Sequence, residues 1–285
     1  MDLCDIRQVK ALLARHGFHF SKSLGQNFLI ESWVPRDIAE ASRAGAENAV
    51  LEIGPGIGPL TRQLAARAGK VVCLELDQSL KPILAETLSD CPNTEVIFGD
   101  ITKQDCAALA AEHMADYTPI VCANLPYNIT TPVITQLLES GVFQSLTVMI
   151  QKEVAKRICA APGTADFGAF SLLCQYHARC EYCFEVPREC FLPAPKVTSA
   201  VVRMELLDAP PVQVQDEAML FRVIRAAFAQ RRKTLSNALS SGFPELSKEQ
   251  VNACIAFCDL PPQVRGEKLG LAEFARLADA IDGMK

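Results

Sequence analysis

From about residue 50 the chain alternates between short apolar runs and segments whose apolar residues recur three or four positions apart. The runs AVLEIG, KVVCLEL, TEVIFGD, PIVCANL and LTVMIQ are almost continuously apolar, as strands covered on both faces must be. Amphipathic segments over 59–68, 78–89, 131–140 and 152–161 separate or follow them. That alternation predicts a doubly wound α/β sheet, parallel and flanked by helices on both sides. CEYCFEV and SAVVRMEL read as further strands closing the sheet; between them FLPAPKV is expected to be an extended loop because of its two prolines. Upstream, Ile6, Val9, Leu12 and Leu13 stand at helical spacing over 6–16, with Gly17 as the stop. After DAPPVQVQD (208–216) strand signals cease, and 216–230, 233–241, 247–257 and 270–282 read as helices only. We therefore expect an α/β domain over 1–208 and a small all-helical domain over 209–285.

Composition narrows the class. The chain has 285 residues, of which 49% are hydrophobic and 21% charged, as in ordinary globular proteins. The N-terminus MDLCDIRQVK has no apolar signal core, and no run approaches the roughly 18 residues of a membrane span. A cytoplasmic protein without membrane association is expected, and its 12 cysteines are then expected to be reduced. Cys174, Cys180, Cys183 and Cys190 form the tightest group, but its CEYC lies in a strand-like segment, where residues three apart face opposite ways. Lacking a second close pair, it reads as small core side chains, and no metal site is expected. The net charge of −5 does not by itself point to nucleic acid. Residues 220–235, however, hold Arg222, Arg225, Arg231, Arg232 and Lys233 with no acid among them. Such a stretch is either a solvated helix face or a surface for phosphates.

VLEIGPGIGPLT (50–61) reads as strand, glycine turn and helix start. Gly54, Gly56 and Gly58 let backbone pass close to a ligand at the carboxyl end of the first strand. The third glycine of a dinucleotide fingerprint would fall at Pro59, which disfavours NAD and FAD. Glu75 ends the second strand, where a carboxylate can take the hydroxyls of a ribose. Asp100 ends the third, placed for an adenine amino group with Ile101 beside the ring, and Asn124 ends the fourth. The alternative is a set of glycine turns and solubilising acids. Taken together the set resembles the S-adenosylmethionine-dependent methyltransferases. That resemblance implies a Rossmann-like class I sheet and S-adenosyl-L-methionine as cofactor.

Asn124, Leu125, Pro126 and Tyr127 then acquire a chemical reading beyond that of a strand terminator. The lone pair of an adenine amine is delocalised into the ring. Two acceptors on its N–H bonds, the Asn124 side chain and the C=O of Leu125 or Pro126, would free it for in-line attack on a methyl group. Pro126 fixes the backbone and Tyr127 offers a stacking face. NLPY is similar to the Asn-x-Pro-aromatic motif of amino-methyltransferases acting on nucleic acids. Catalysis of this kind needs no strong base.

KSLGQNFL, LEIGPGIGPLT, NLPYNIT, FLPAPKVTSAVVR and AFAQRRKTLSNAL together resemble the ribosomal RNA adenine dimethylase family over nearly the whole chain. AFAQRRKTLSNAL and RGEKLGLAEFARLADAI resemble its small-subunit branch more than the macrolide-resistance branch that modifies large-subunit rRNA. The resemblance implies N6,N6-dimethylation of two adjacent adenosines in the 3′-terminal hairpin loop of 16S rRNA. The substrate would be the immature small ribosomal subunit, with a role in its biogenesis. It implies that Asn27 and Leu29 line the cofactor site with Gly54, Gly56, Glu75, Asp100, Ile101 and Asn124. Phe191 would stack on an extruded adenine opposite Tyr127. Arg231, Arg232 and Lys233, with Arg222 and Arg225, would hold RNA phosphates, and Lys22, Lys152 and Lys196 would assist. Two features depart from the family pattern: Ser236 interrupts the basic run, which predicts a weaker patch, and VPRECF replaces the usual approach to the aromatic. A monomer is expected. The rival of a different class is an assembly factor whose methylation is secondary.

Overall fold

The architecture comes from a computed structural model of the chain, which describes residues 1–21 and 25–284. The chain opens with α1 (Ile6–Arg15), whose N-terminal amides are capped by Asp5, and Gly17 follows it at φ +61°. A two-residue strand β1 (Phe28–Leu29) and α2 (Trp33–Ala41) lead into the sheet. Then come β2 (Asn48–Ile53), α3 (Pro59–Ala65), β3 (Lys70–Glu75), α4 (Lys81–Thr87), β4 (Thr94–Phe98), α5 (Cys106–His113) and β5 (Thr118–Asn124). After these run α6 (Thr130–Glu139), β6 (Ser145–Gln151), α7 (Lys152–Ile158), α8 (Ala169–His177), β7 (Ala178–Val186), β8 (Phe191–Leu192) and β9 (Ser199–Leu206).

Seven of these strands form one mixed sheet in the order β4-β3-β2-β5-β6-β9-β7. The first five are mutually parallel, and β9 joins β6 antiparallel, from Ser145 opposite Glu205 to Gln151 opposite Ser199. All six residues of β2 are buried, which is why its sequence is mostly apolar, with Asn48 and Glu52 as the exceptions. The chain leaves β2 toward β3 and β4, then crosses back to β5 and β6 on the other side. The order therefore reverses beside β2, and a crevice opens where the carboxyl ends of β2 and β5 diverge. This is a class I methyltransferase sheet.

FLPAPKV is not wholly a loop. Its first two residues form β8, which pairs antiparallel with β1, Phe28 opposite Leu192 and Leu29 opposite Phe191. The pairing is non-local, so neither two-residue segment carries a periodic signal of its own.

The second departure concerns the boundary. Two compact units are resolved: Met1–Ala155 with Cys180–Leu206, and Lys156–Arg179 with Leu207–Lys285. The second contains α9 (Glu217–Ala229), α10 (Leu235–Gly242), α11 (Lys248–Phe257) and α12 (Leu271–Asp282). Phe167, Leu172 and Tyr176 share one buried cluster with Leu220, Val223, Leu239 and Phe274. Residues 156–179 therefore belong with the helices and not, as expected, with 1–208. Apolar burial against α9 decides this, and nothing local in the sequence reports it. Among the described residues no helix is long and apolar enough to cross a membrane, and none of the 12 cysteines forms a disulfide.

Candidate active site

The crevice is lined by segments that are far apart in sequence: 25–29, 52–57, 74–76, 99–101, 124–127 and Phe191. Gly54, Gly56 and Gly58 lie at φ +70°, +61° and +93°, left-handed backbone that an L side chain would strain. At Gly54 a Cβ would meet nothing within 4 Å, whereas at Gly58 it would come within 2.9 Å of Leu88. The turn therefore presents bare backbone to an open cradle, with Gly58 close-packed behind it. Pro59 opens α3 at a position where a missing N–H costs nothing.

Glu75 is only 6% exposed at the end of β3. Its Oε1 accepts from the Asp77 N–H at 2.8 Å and its Oε2 from the Gly56 N–H at 3.3 Å, so the carboxyl is fixed against the glycine turn. Burial pushes its pKa up, and the N–H groups of Asp77, Gly56 and Leu76 oppose the shift. Asp100 is held differently. Its Oδ1 caps the next turn by accepting from the Thr102 N–H at 3.0 Å and hydroxyl at 2.7 Å. The Thr102 hydroxyl and N–H hold its carboxyl below the usual range. Ile101, 4% exposed, forms a hydrophobic wall beside it. Across the crevice the Asn27 side chain donates to the Gly25 carbonyl at 2.8 Å, while Leu29 is fixed in β1.

β5 ends at Asn124, and the Leu125 N–H donates to the Met149 carbonyl of β6 at 3.1 Å, anchoring the turn to the sheet. The carbonyl of Pro126 is occupied: it accepts from the Ile129 N–H at 3.2 Å and the Thr130 hydroxyl at 3.1 Å. The Leu125 carbonyl and the Asn124 side chain receive no hydrogen bond from any described residue. Of the two backbone acceptors left open by the sequence, Leu125 is thus the available one. Tyr127 donates to or accepts from the Ser199 hydroxyl at 2.7 Å, which fixes its ring, and burial raises its pKa. Phe191 is 3% exposed and serves two ends, packing in the core under the sheet and lining the crevice.

Sequence reasoning passed over two residues of this region. Ser199 gave no signal, because only the fold sets it opposite Tyr127. Glu52 did: it is the one acid within the apolar run AVLEIG. It is 1% exposed at the floor of the crevice, and burial lifts its pKa to about 8 against hydrogen bonds from Thr61 and Cys73.

The cations expected to meet phosphates separate into two groups. Arg222 is engaged within the helical unit, donating to Glu245 at 2.7 Å and to the Gly242 carbonyl at 3.3 Å, with its guanidinium 4.2 Å above the Phe243 ring. Arg231 donates to the Ala165 and Phe167 carbonyls, both at 2.9 Å, tying the 156–179 segment to the end of α9. Lys152 is paired with Glu185 at 2.8 Å. These three therefore have structural partners that the sequence did not reveal. The side chains of Arg225, Arg232, Lys233 and Lys196 are exposed and make no hydrogen bond or ion pair with a described residue. Lys22 lies outside the described residues. Ser236 is 7% exposed and its hydroxyl donates to the Asn252 side-chain oxygen at 2.6 Å, so its position faces α11 and does not interrupt the solvent-facing cations.

Comparison with known proteins adds an independent line. A family model described as ribosomal RNA adenine dimethylase matches residues 17–279. "Ribosomal RNA small subunit methyltransferase A" of Geobacillus thermodenitrificans is 46% identical over 284 residues, covering 98% of this chain and 97% of that one. The protein of the same name from Clostridium perfringens is 46% identical over 285 residues, covering 99% and 98%. Among solved structures, the 23S rRNA methyltransferase ErmE superposes with a TM-score of 0.68 at 25% identity, covering 90% of this chain and 99% of that one. A dimethyladenosine transferase from Plasmodium falciparum superposes with a TM-score of 0.73 at 22% identity, covering 87% and 95%.

Proposed function

The chain belongs to the ribosomal RNA adenine dimethylase family, and from that premise we propose that it transfers methyl groups from S-adenosyl-L-methionine to adenine N6 of 16S rRNA. The product is N6,N6-dimethyladenosine at two adjacent adenosines of the 3′-terminal hairpin loop, made on the immature small subunit. The observation that carries the reading is a pair of acceptors at the carboxyl end of β5, Asn124 Oδ1 and the Leu125 carbonyl, to which no described residue donates.

The cofactor supplies an electrophilic methyl group. The donor set fits it: Gly54 bares its backbone to the open crevice with Gly56 packed on Phe28 behind it, Glu75 is placed for ribose hydroxyls, and Asp100 with Ile101 for the adenine. Asn27 and Leu29 close the opposite wall. On the substrate side, Asn124 and Leu125 draw on the two N–H bonds of the amine and localise its lone pair. Pro126 keeps that geometry because its carbonyl is tied to Ile129 and Thr130. Tyr127, steadied by Ser199, and Phe191 supply aromatic faces for an extruded base, whose unstacking costs a few kcal/mol. The catalysis is preorganised polarity and positioning, not general-base chemistry. Arg225, Arg232, Lys233 and Lys196 are the cations with charge to spare for phosphates, which position RNA without reading its sequence.

The small-subunit assignment draws on relatives 46% identical across the full chain, set against 25% for the 23S enzyme. The test is to incubate the protein with radiolabelled S-adenosylmethionine and, separately, undermethylated small and large subunits, then digest the RNA and separate nucleosides. Labelled dimethyladenosine from the small subunit alone is expected. Label in large-subunit RNA would overturn the substrate assignment, and no label in either, with cofactor bound, would favour the assembly-factor reading.

A further inference from the structure

Glu75 is backed by a chain of polar contacts that reaches across to the opposite wall of the crevice. Behind its carboxyl stands Asp77, whose N–H it accepts at 2.8 Å. Asp77 divides its two oxygens. Oδ1 accepts from the Ser79 N–H at 2.9 Å and the Ser79 hydroxyl at 2.6 Å, capping the turn that leads into α4. Oδ2 accepts from the Gln26 side chain at 2.6 Å. Gln26 in turn uses both ends of its amide, because its Oε1 accepts from the Ser21 N–H at 3.0 Å. The residue after it is Asn27, and Leu29 is two further on, both lining the crevice.

The orientation of this amide is dictated from both sides. A carboxylate oxygen on one side demands a donor, and a backbone N–H on the other demands an acceptor. Only a neutral side chain carrying both, at glutamine length, satisfies the pair. A carboxylate-accepted N–H is also the stronger kind of hydrogen bond. Gln26 therefore adds a directed polar tie between the segment carrying Asn27 and Leu29 and the turn carrying Glu75, beside the apolar cluster in which Phe28 packs with Leu80 and Ile83.

We propose that Gln26 is a positioning residue that latches the 25–29 segment against the Glu75–Asp77 turn, so that the two walls close on S-adenosylmethionine as one unit. This rests on the reading of the crevice as the cofactor site. The latch touches neither the methyl group nor the target amine, so its loss loosens cofactor without altering the acceptors at Asn124 and Leu125.

The polarity of the bond supplies the test. Gln26→Glu sets two carboxylates against each other, and Asp77→Asn sets two amide donors against each other. Combined, Q26E/D77N restores every contact with reversed polarity. The amide introduced at position 77 donates to the carboxylate introduced at position 26 while its oxygen still accepts from Ser79, and that carboxylate still accepts from the Ser21 N–H. S-adenosylhomocysteine binding is measured by calorimetry, its dissociation rate by stopped flow, and the melting temperature of each unliganded variant by calorimetric scanning. Gln26→Glu is expected to weaken binding about tenfold through faster dissociation, with the unliganded melting temperature lowered by no more than about 4 °C. The double variant is expected to bind within about threefold of wild type. Wild-type affinity in Gln26→Glu, or a double variant no better than Gln26→Glu, would overturn the latch. Glu75→Ala is run alongside: if it too binds at wild-type strength, the cofactor-site reading falls, and the latch with it.

Discussion

The crevice at the carboxyl end of the sheet and the basic stretch of the helical unit use polar residues in opposite ways. In the crevice almost every polar group is immobilised: Glu75 by two backbone amides, Asp100 by Thr102, Pro126 by Ile129 and Thr130. The Asn124 side chain and the Leu125 carbonyl stand out because no described residue donates a hydrogen bond to them, although the backbone that carries them is anchored to β6. Along the basic stretch the pattern is reversed. Arg222 and Arg231 are bound into the helical unit, while Arg225, Arg232 and Lys233 extend into solvent. On the proposed function this is the expected division: the crevice keeps a few anchored acceptors to which no described residue donates, the basic stretch keeps mobile charge for a polyanion, and Arg222 and Arg231 serve the fold. Residue type alone did not separate the two kinds of arginine.

The comparison breaks most sharply at Asn124. Asn124→Ala removes one of two acceptors and is expected to slow single-turnover formation of dimethyladenosine about a thousandfold at saturating subunit, by nucleoside analysis. Next in size, Glu75→Ala removes the buried carboxylate proposed to take the ribose hydroxyls and should raise the cofactor Kd about a hundredfold by calorimetry. The arginines sharpen the contrast at smaller scale. Removing Arg232 and Lys233 together should weaken subunit binding about tenfold and lower the slope of log affinity against log salt by about two, leaving melting unchanged. Arg231→Ala, by contrast, should cost about 1–2 kcal/mol of stability in urea titration, since two carbonyls lose their donor.

The last prediction concerns pH. Glu52 has its pKa raised by burial to about 8 from an ordinary 4.5. An unfolded chain ionises this group from about pH 4.5 upward while the folded chain holds its proton, so wild-type stability from this residue is full below 4.5 and falls until about pH 8. Glu52→Gln removes that loss. Its stability should match wild type near pH 4.5 and exceed it at pH 8, by on the order of a few kcal/mol in urea titrations at the two pH values.

How much of this was legible beforehand follows from where the information resides. β2, β3 and β5 are covered on both faces, so their sequences are mostly apolar, and their ends are marked by Gly54, Glu75 and Asn124. The four C-terminal helices were legible from amphipathic spacing, within two residues at each end. α5 was missed because its CAALAAEH sequence has little amphipathic contrast, although Asp105 caps it. β1 and β8 exist only because they pair across a long loop of chain, and Lys156–Arg179 joins the helical unit through tertiary burial. In the site, residues that announce themselves at strand ends were readable. Ser199 behind Tyr127, Asp77 behind Gln26, and the choice of Leu125 over Pro126 depend on who already holds whom, which only the folded backbone decides.

The most direct test of the division between fixed acceptors and free cations is equilibrium binding of undermethylated small subunits with S-adenosylhomocysteine present, compared for two variants. Asn124→Ala should bind within about twofold of wild type, while Arg232→Ala with Lys233→Ala should bind about tenfold more weakly. Subunit binding lost in Asn124→Ala and kept in the Arg232, Lys233 pair would contradict it.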